Sequence, residues 1–349
     1  MYRNNNTTYI NDETIFKYIN PDNNDKLSEM NGLDLQYLLV LINGFFIKLR
    51  KGIGLDQYIT FGLEIEFENV MREEIELILD NTYLNDFWSI KGDSSLFNGA
   101  EINSPVLTDT YSNWNDLNKV CSIVEPLASI DTKSGGHVHI GTQILGNNRE
   151  SWLNFIKMWS VYENIIYRFA YGDYLTARPR IMDFAEPMTK DFWHDYETSK
   201  KENENLNTII ARISHKRNQA VNFNNVSKYD RDYFSTGNTI EFRCPNGSLD
   251  PAIWQNNVNL FAKLLQYSDN TSFYDDTVQK RHNLNLDKYS ELKFYNEIYL
   301  EQALELCDLI FTNNLDKIYF LKQYLKSFQT YKRNDLYPKA QVLTKKSFQ

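Results

Sequence analysis

Between Gln57 and Val70 the chain reads QYITFGLEIEFENV, and from Phe61 onward apolar and acidic residues alternate. A period of two marks a strand with one apolar and one polar face, because successive side chains of a strand point to opposite sides. Leu63, Ile65 and Phe67 fall on one side, Glu64 and Glu66 on the other. The pattern returns in SGGHVHIG (134–141), where His137 and His139 flank Val138, and in NTIEFRCPNG (238–247), where Glu241 and Arg243 flank Phe242. A fourth segment, FWSIKGDSSLFNGAEINSPVL (87–107), reads as strand, turn and strand, with Asp93 and Glu101 eight residues apart. Helical patterns separate these strands at 34–50, 71–80, 114–128, 149–171, 189–213 and 250–265, the last with Asp250 as cap and Pro251 at its first position. RNQAVNFNN (217–225) is strand-like, 172–188 reads as a loop, and the tail from about 285 reads as two or more helices. Alternating strands suit an antiparallel α+β fold, since parallel βαβ strands are more continuously apolar.

The apolar members of each strand must bury one face. Ordinary surface strands would send the polar members to solvent, with Thr, Lys, Gln and Ser mixed among them. Here the polar positions collect carboxylates, two imidazoles and one guanidinium and little else. Carboxylates directly opposite one another on a sheet repel, and a cation between them removes the repulsion. Carboxylates favour Mg²⁺ or Mn²⁺, and an imidazole shifts the balance toward Mn²⁺ or zinc. Mg²⁺ held by few carboxylates shares its shell with substrate phosphates, and Arg243 beside Glu241 would neutralise a phosphoryl group in transfer. The residues therefore point to a metal- and phosphate-handling face. The chain has no P-loop, GxGxxG turn or HExxH helix.

Composition removes other classes. The net charge of −9 argues against nucleic acid as partner. Three scattered cysteines without a CxxC argue against a disulfide framework or a cysteine zinc site and fit a reducing cytoplasm. Cys244, opposite in phase to Glu241 and Arg243, is expected in the core. The polar N-terminus has no apolar signal core. LQYLLVLINGFFI (35–47) falls short of the roughly 20 residues a membrane span needs, so it is expected to be a buried helix rather than a membrane segment.

Taken in order, FGLEIEF, GDSSLFNGAEINSP, SGGHVHIG, RNQAVNF and NTIEFRCPNGSLD resemble the amidoligase family, carboxylate–amine ligases of the glutamine synthetase superfamily. The resemblance spans residues 58–265. It implies a curved antiparallel sheet of glutamine synthetase catalytic-domain type over 57–270, with helices on its back, an N-terminal extension over 1–56 and a helical C-terminal extension over 271–349. It also implies roles. Glu64 and Glu66 would enter two different metal sites, with Asp93 and Glu101 completing the one that holds Glu66; an aspartate at 93 stands where the family pattern has a glutamate. His137 would join Glu64 as a ligand, His139 would approach the nucleotide phosphates, Glu241 would bind the metal on the ATP side, and Arg243 would contact the phosphates or an acyl-phosphate. Arg217 stands near where such enzymes keep an anion-binding arginine. Arg178 and Arg180 match no motif. The implied reaction uses ATP and Mg²⁺ or Mn²⁺ to join a small-molecule or peptide carboxylate to an amine through an acyl-phosphate, in the cytoplasm, with oligomer formation left open.

Three rivals remain. A hydrolase built on the HxH would need further ligands, and His194, His215 and His282 have none beside them. A phosphotransferase of guanidino-kinase type would turn over ATP without forming an amide. A non-catalytic binding relative would have no reason to keep facing carboxylates.

Overall fold

The computed structural model describes residues 12–93, 95–96, 98–130, 133–170, 181–213, 218–226, 231, 237–270, 280–283, 295 and 297–325 of the 349. Six strands form one antiparallel sheet: β1 (Phe61–Glu68), β2 (Ser89–Gly92), β3 (Gly99–Asn103), β4 (Gly136–Gly141), β5 (Val221–Asn222) and β6 (Thr239–Phe242), in the order β2-β3-β1-β4-β6-β5. The antiparallel α+β expectation holds. Among the described residues of RNQAVNFNN, the two of β5 form strand, and Cys244 lies in the core.

The apolar faces of the strands coincide because the register aligns them. Ile90, Ile102 and Ile65 stand side by side, as do Leu63, Val138, Phe242 and Val221. Two long helices cover this face, α5 (Arg149–Ala170) and α9 (Pro251–Asn270). The Phe242 ring stacks on Phe261 of α9 at 4.1 Å, and Phe155 of α5 meets Phe242 edge-on. Helix α9 starts where its sequence says it should: the Asp250 carboxylate accepts the Ala252 N–H at 2.9 Å, and Pro251 needs no acceptor. Gly136 of β4 is the point of closest approach. A Cβ there would lie 2.2 Å from Cη2 of Trp254 in α9 and 2.5 Å from the Glu64 carbonyl, so packing leaves no room for a side chain.

The remaining described helices are α1 (Asp12–Tyr18), α2 (Gly32–Gly44), α3 (Arg72–Leu79), α4 (Tyr111–Val124), α6 (Ile181–Phe184), α7 (Thr189–Lys201), α8 (Leu206–Ile213), α10 (Leu300–Ile310) and α11 (Asn314–Leu325). The expected helix over 189–213 is thus two, α7 and α8, and the 172–188 loop contains the short α6. Segments from early and late in the described chain meet. Asp308 of α10 accepts the backbone N–H groups of Leu27 and Ser28 at 3.0 and 2.8 Å and also holds Lys317 at 2.8 Å, while Arg50 pairs with Asp316 at 2.6 Å. Helix α2 buries Leu38, Leu39, Leu41 and Ile42 but exposes Leu33, Tyr37 and Val40, so it is buried on one side only. No described helix is long and apolar enough to cross a membrane.

Candidate active site

The opposite face of the sheet carries the chemistry. Antiparallel pairing sets directly opposed side chains on the same face roughly 5 Å apart. In the register found, Glu64 stands opposite His137, Glu66 opposite Glu101, His139 opposite Glu241, and Glu241 opposite Asn222. Residues far apart in the sequence are thereby brought to one patch because each sits at the polar phase of its own strand.

At one end of the patch, the Glu64 carboxylate lies between both imidazoles. His137 Nδ1 bonds to Glu64 Oε2, and His139 Nε2 lies 3.1 Å from Glu64 Oε1. Burial alone would raise the Glu64 pKa. The hydrogen bonds and charge of the two imidazoles outweigh it and hold the carboxyl well below the usual carboxylate range. The same contacts act in reverse on His139: burial disfavours its charged form, but the bond to Glu64 and the charges of Glu64 and Glu241 raise its pKa against the opposing Arg243. Glu241 is buried. Its Oε1 meets Arg243 Nη1 and lies 3.2 Å from His137 Nδ1, and its Oε2 accepts Asn222 Nδ2 at 2.7 Å.

At the other end, Glu66 Oε2 accepts the Gly135 backbone N–H at 2.5 Å, Asp93 Oδ1 accepts the Ser95 N–H at 2.7 Å, and Glu101 Oε1 accepts Asn103 Nδ2 at 2.7 Å. Burial, then the charge of Glu64, pushes the Glu101 carboxyl above its ordinary value.

Three sets of side chains each offer ligand atoms within 4.8 Å of one another: Glu64 with His139 and Glu241, Glu64 with Glu101 and His137, and Glu66 with Asp93 and Glu101. Two oxygens held at roughly 2.1 Å on one Mg²⁺ stand at most about 4.2 Å apart, so small side-chain rotations suffice to close each set. The donors are hard carboxylate oxygens with at most one imidazole, which fits Mg²⁺ or Mn²⁺. Glu66, Asp93 and Glu101 are grouped as the sequence suggested. Glu64 is shared: either histidine is within reach of it, whereas the sequence reading assigned His137 to the metal and His139 to phosphate.

Beside Glu64 and His139 opens a cleft of about 190 Å³, walled by Thr60–Leu63, Asn103–Val106, Asn225 and Thr239. Arg217, Arg178, Arg180 and His215 lie outside the described residues. The sequence reading missed Asn222. The signal was present: Asn222 occupies the polar phase between Val221 and Phe223, as the glutamates do in their own strands.

Comparison with known families adds one finding. The family model described as "Putative amidoligase enzyme" matches residues 77–265, just over half of the chain. The match takes in Asp93, Glu101, His137, His139, Glu241 and Arg243 and begins after Glu64 and Glu66. No curated protein matches the chain.

Proposed function

Since the chain belongs to the amidoligase family, we propose that it is an ATP-dependent carboxylate–amine ligase on a glutamine synthetase-type sheet. The observation that carries the reading is the convergence of Glu64, Glu66, Asp93, Glu101 and Glu241 with His137, His139 and Arg243 on one sheet face.

In this reading an oxygen of the acid's carboxylate attacks the γ-phosphorus of ATP, the bond to the bridging oxygen breaks, and ADP leaves an acyl-phosphate. The amine nitrogen then attacks the acyl carbon, the C–O bond to phosphate breaks, and inorganic phosphate departs while the nitrogen sheds its proton to solvent. Divalent ions held by the three carboxylate-containing sets would supply positive charge to the phosphates. The chain's own groups do the rest. Arg243, held beside Glu241, offers its guanidinium to the phosphoryl oxygens, and His139, hydrogen-bonded to Glu64, faces the same anions. The cleft is walled by Thr, Ser and Asn residues together with Phe61, Leu63, Pro105 and Val106 and has no Lys or Arg, which suits the uncharged nucleoside end of ATP and leaves the phosphates toward His139 and Glu241 at its edge. The acid then approaches from the Glu66–Asp93–Glu101 end. Arg217 would be a further anion contact. No side-chain nucleophile is required, in keeping with a buried Cys244.

The test is release of ADP with Mg²⁺ or Mn²⁺ across a panel of acids and amines, with the product identified by mass. Glu64→Ala and Glu241→Ala are expected to abolish it while the fold persists. Full activity in both variants overturns the reading, and a phosphorylated acid or amine as final product would assign a phosphotransferase instead.

A further inference from the structure

We infer that Asn222 is a positioning residue that sets the Glu241 carboxylate for metal binding, an inference that rests on the ligase reading above. Asn222 ends the two-residue strand β5 and is only 5% exposed. A buried amide is costly unless both ends are bonded, and both are. Its Oδ1 accepts the backbone N–H of Asn224 at 2.9 Å, and its Nδ2 donates to Glu241 Oε2 at 2.7 Å. A backbone N–H can only donate and a carboxylate can only accept. The two partners therefore fix which way the amide points, and the local turn that Asn224 closes locks the donor onto Glu241.

Turn formation alone does not explain an asparagine here. Serine or aspartate would accept the same N–H two residues on. Only an amide accepts at one end and donates at the other across this strand pair. What it donates to is a carboxylate whose other oxygen is already taken by Arg243 and approached by His137. Without Asn222, Arg243 and His137 both act on Oε1 alone, and the three-bond glutamate side chain is free to swing toward Arg243 and away from Glu64 and His139, the members of its ligand set. Hydrogen bonds of this kind to ligating groups are commonly worth 10–100-fold in metal affinity.

The test titrates Mn²⁺ into wild type, Asn222→Ala, Asn222→Ser, Glu241→Gln and the Asn222→Ala/Glu241→Gln double variant, by calorimetry and by the paramagnetic signal of free Mn²⁺. Serine keeps an acceptor for the Asn224 N–H but cannot reach Glu241, so N222S preserves the turn if the alanine variant folds poorly. One class of Mn²⁺ site is expected to weaken 10–100-fold in both Asn222 variants. The Glu66–Asp93–Glu101 class, on the other half of the sheet, is expected to keep its affinity and serve as an internal control. In the Glu241→Gln background, adding Asn222→Ala is expected to change affinity less than threefold, because a residue that acts through Glu241 has nothing left to position. Unchanged Mn²⁺ binding in N222S, or effects of the two substitutions that simply add, overturns the positioning role while leaving the ligase reading intact. Absence of any Mn²⁺ binding by wild type overturns that reading, and this inference with it.

Discussion

Gly136→Ala adds one methyl group to β4, and the structure sets what it meets. The new Cβ would stand 2.2 Å from Trp254 Cη2 and 2.5 Å from the Glu64 carbonyl oxygen. The indole belongs to α9, with no exposed surface, and the carbonyl is backbone of β1, so neither gives way by a rotamer change alone. Overpacking of this sort costs about 1–3 kcal/mol, and involvement of the backbone places the cost near the upper end, about 3. Loss of glycine's freedom in the unfolded chain returns about 0.4–1 kcal/mol, leaving a net destabilisation of about 2 kcal/mol. With an unfolding entropy near 2 cal/mol/K per residue, a chain of this size loses roughly 3 °C in thermal midpoint. Scanning fluorimetry measures this directly. Trp254→Phe removes the ring that carries Cη2, so the double variant should recover part of the loss, with a coupling of about 1 kcal/mol. A midpoint for Gly136→Ala within about 0.5 °C of wild type would refute the packing argument.

Substitutions at two further positions read the two layers separately. In EDTA near pH 7, Glu101→Gln is expected to raise the thermal midpoint by about 1 °C, because burial and Glu64 make that carboxylate's charge costly, and to diminish the rise of about 4 °C that Mn²⁺ at a hundred times its Kd gives wild type; a lower midpoint in EDTA contradicts it. Glu163, fully inside the helical layer, accepts Trp159 Nε1 at 2.7 Å and the N–H groups of Met188 and Thr189 at 2.5 and 2.9 Å, so Glu163→Ala should cost about 3 kcal/mol in urea denaturation. Burial nonetheless holds this carboxyl above its usual range; its stabilisation is complete below the unfolded carboxylate value and falls as pH rises through the raised folded value, a decline that Glu163→Gln should flatten.

The strands were legible because period two is a local property: FGLEIEFE states its own faces whatever it pairs with. Helices α5 and α9 were legible for a similar reason, since Asp250 and Pro251 mark a start that needs no tertiary partner. Register was not legible. Whether Glu64 faces His137 or His139 depends on turn lengths and on where the strands lock, and one such lock is Gly136 against Trp254, a contact between residues distant in sequence. Gly136 leaves room for an indole that the local sequence does not announce. Asn222 had only its polar phase to mark it, without the charge that singles out the glutamates, and its partner Glu241 follows from register alone. The apolar stretch at 35–47 was expected to be a buried helix, and within α2 that burial follows position around the helix.

Compensation of charge along the face argues for cations more strongly than any single residue does. Five carboxylates share it. Both imidazoles and Arg243 gather at the Glu64–Glu241 end, where the imidazoles hold Glu64 well below the usual carboxylate range. The Glu66–Asp93–Glu101 end is served by neutral donors, the N–H groups of Gly135 and Ser95 and the amide of Asn103, and by Lys91, which stands opposite Glu101 with its Nζ 3.4 Å from Asn103 Oδ1. Neutral donors orient a carboxylate without cancelling its charge, so burial, then the charges of Glu64 and Glu66, leave the Glu101 pKa raised. A fold that needed only stability would gain by replacing one of these acids with an amide. Keeping all three, each with an oxygen fixed by a donor, makes physical sense where a divalent ion or the positive charge of a substrate supplies what the chain does not.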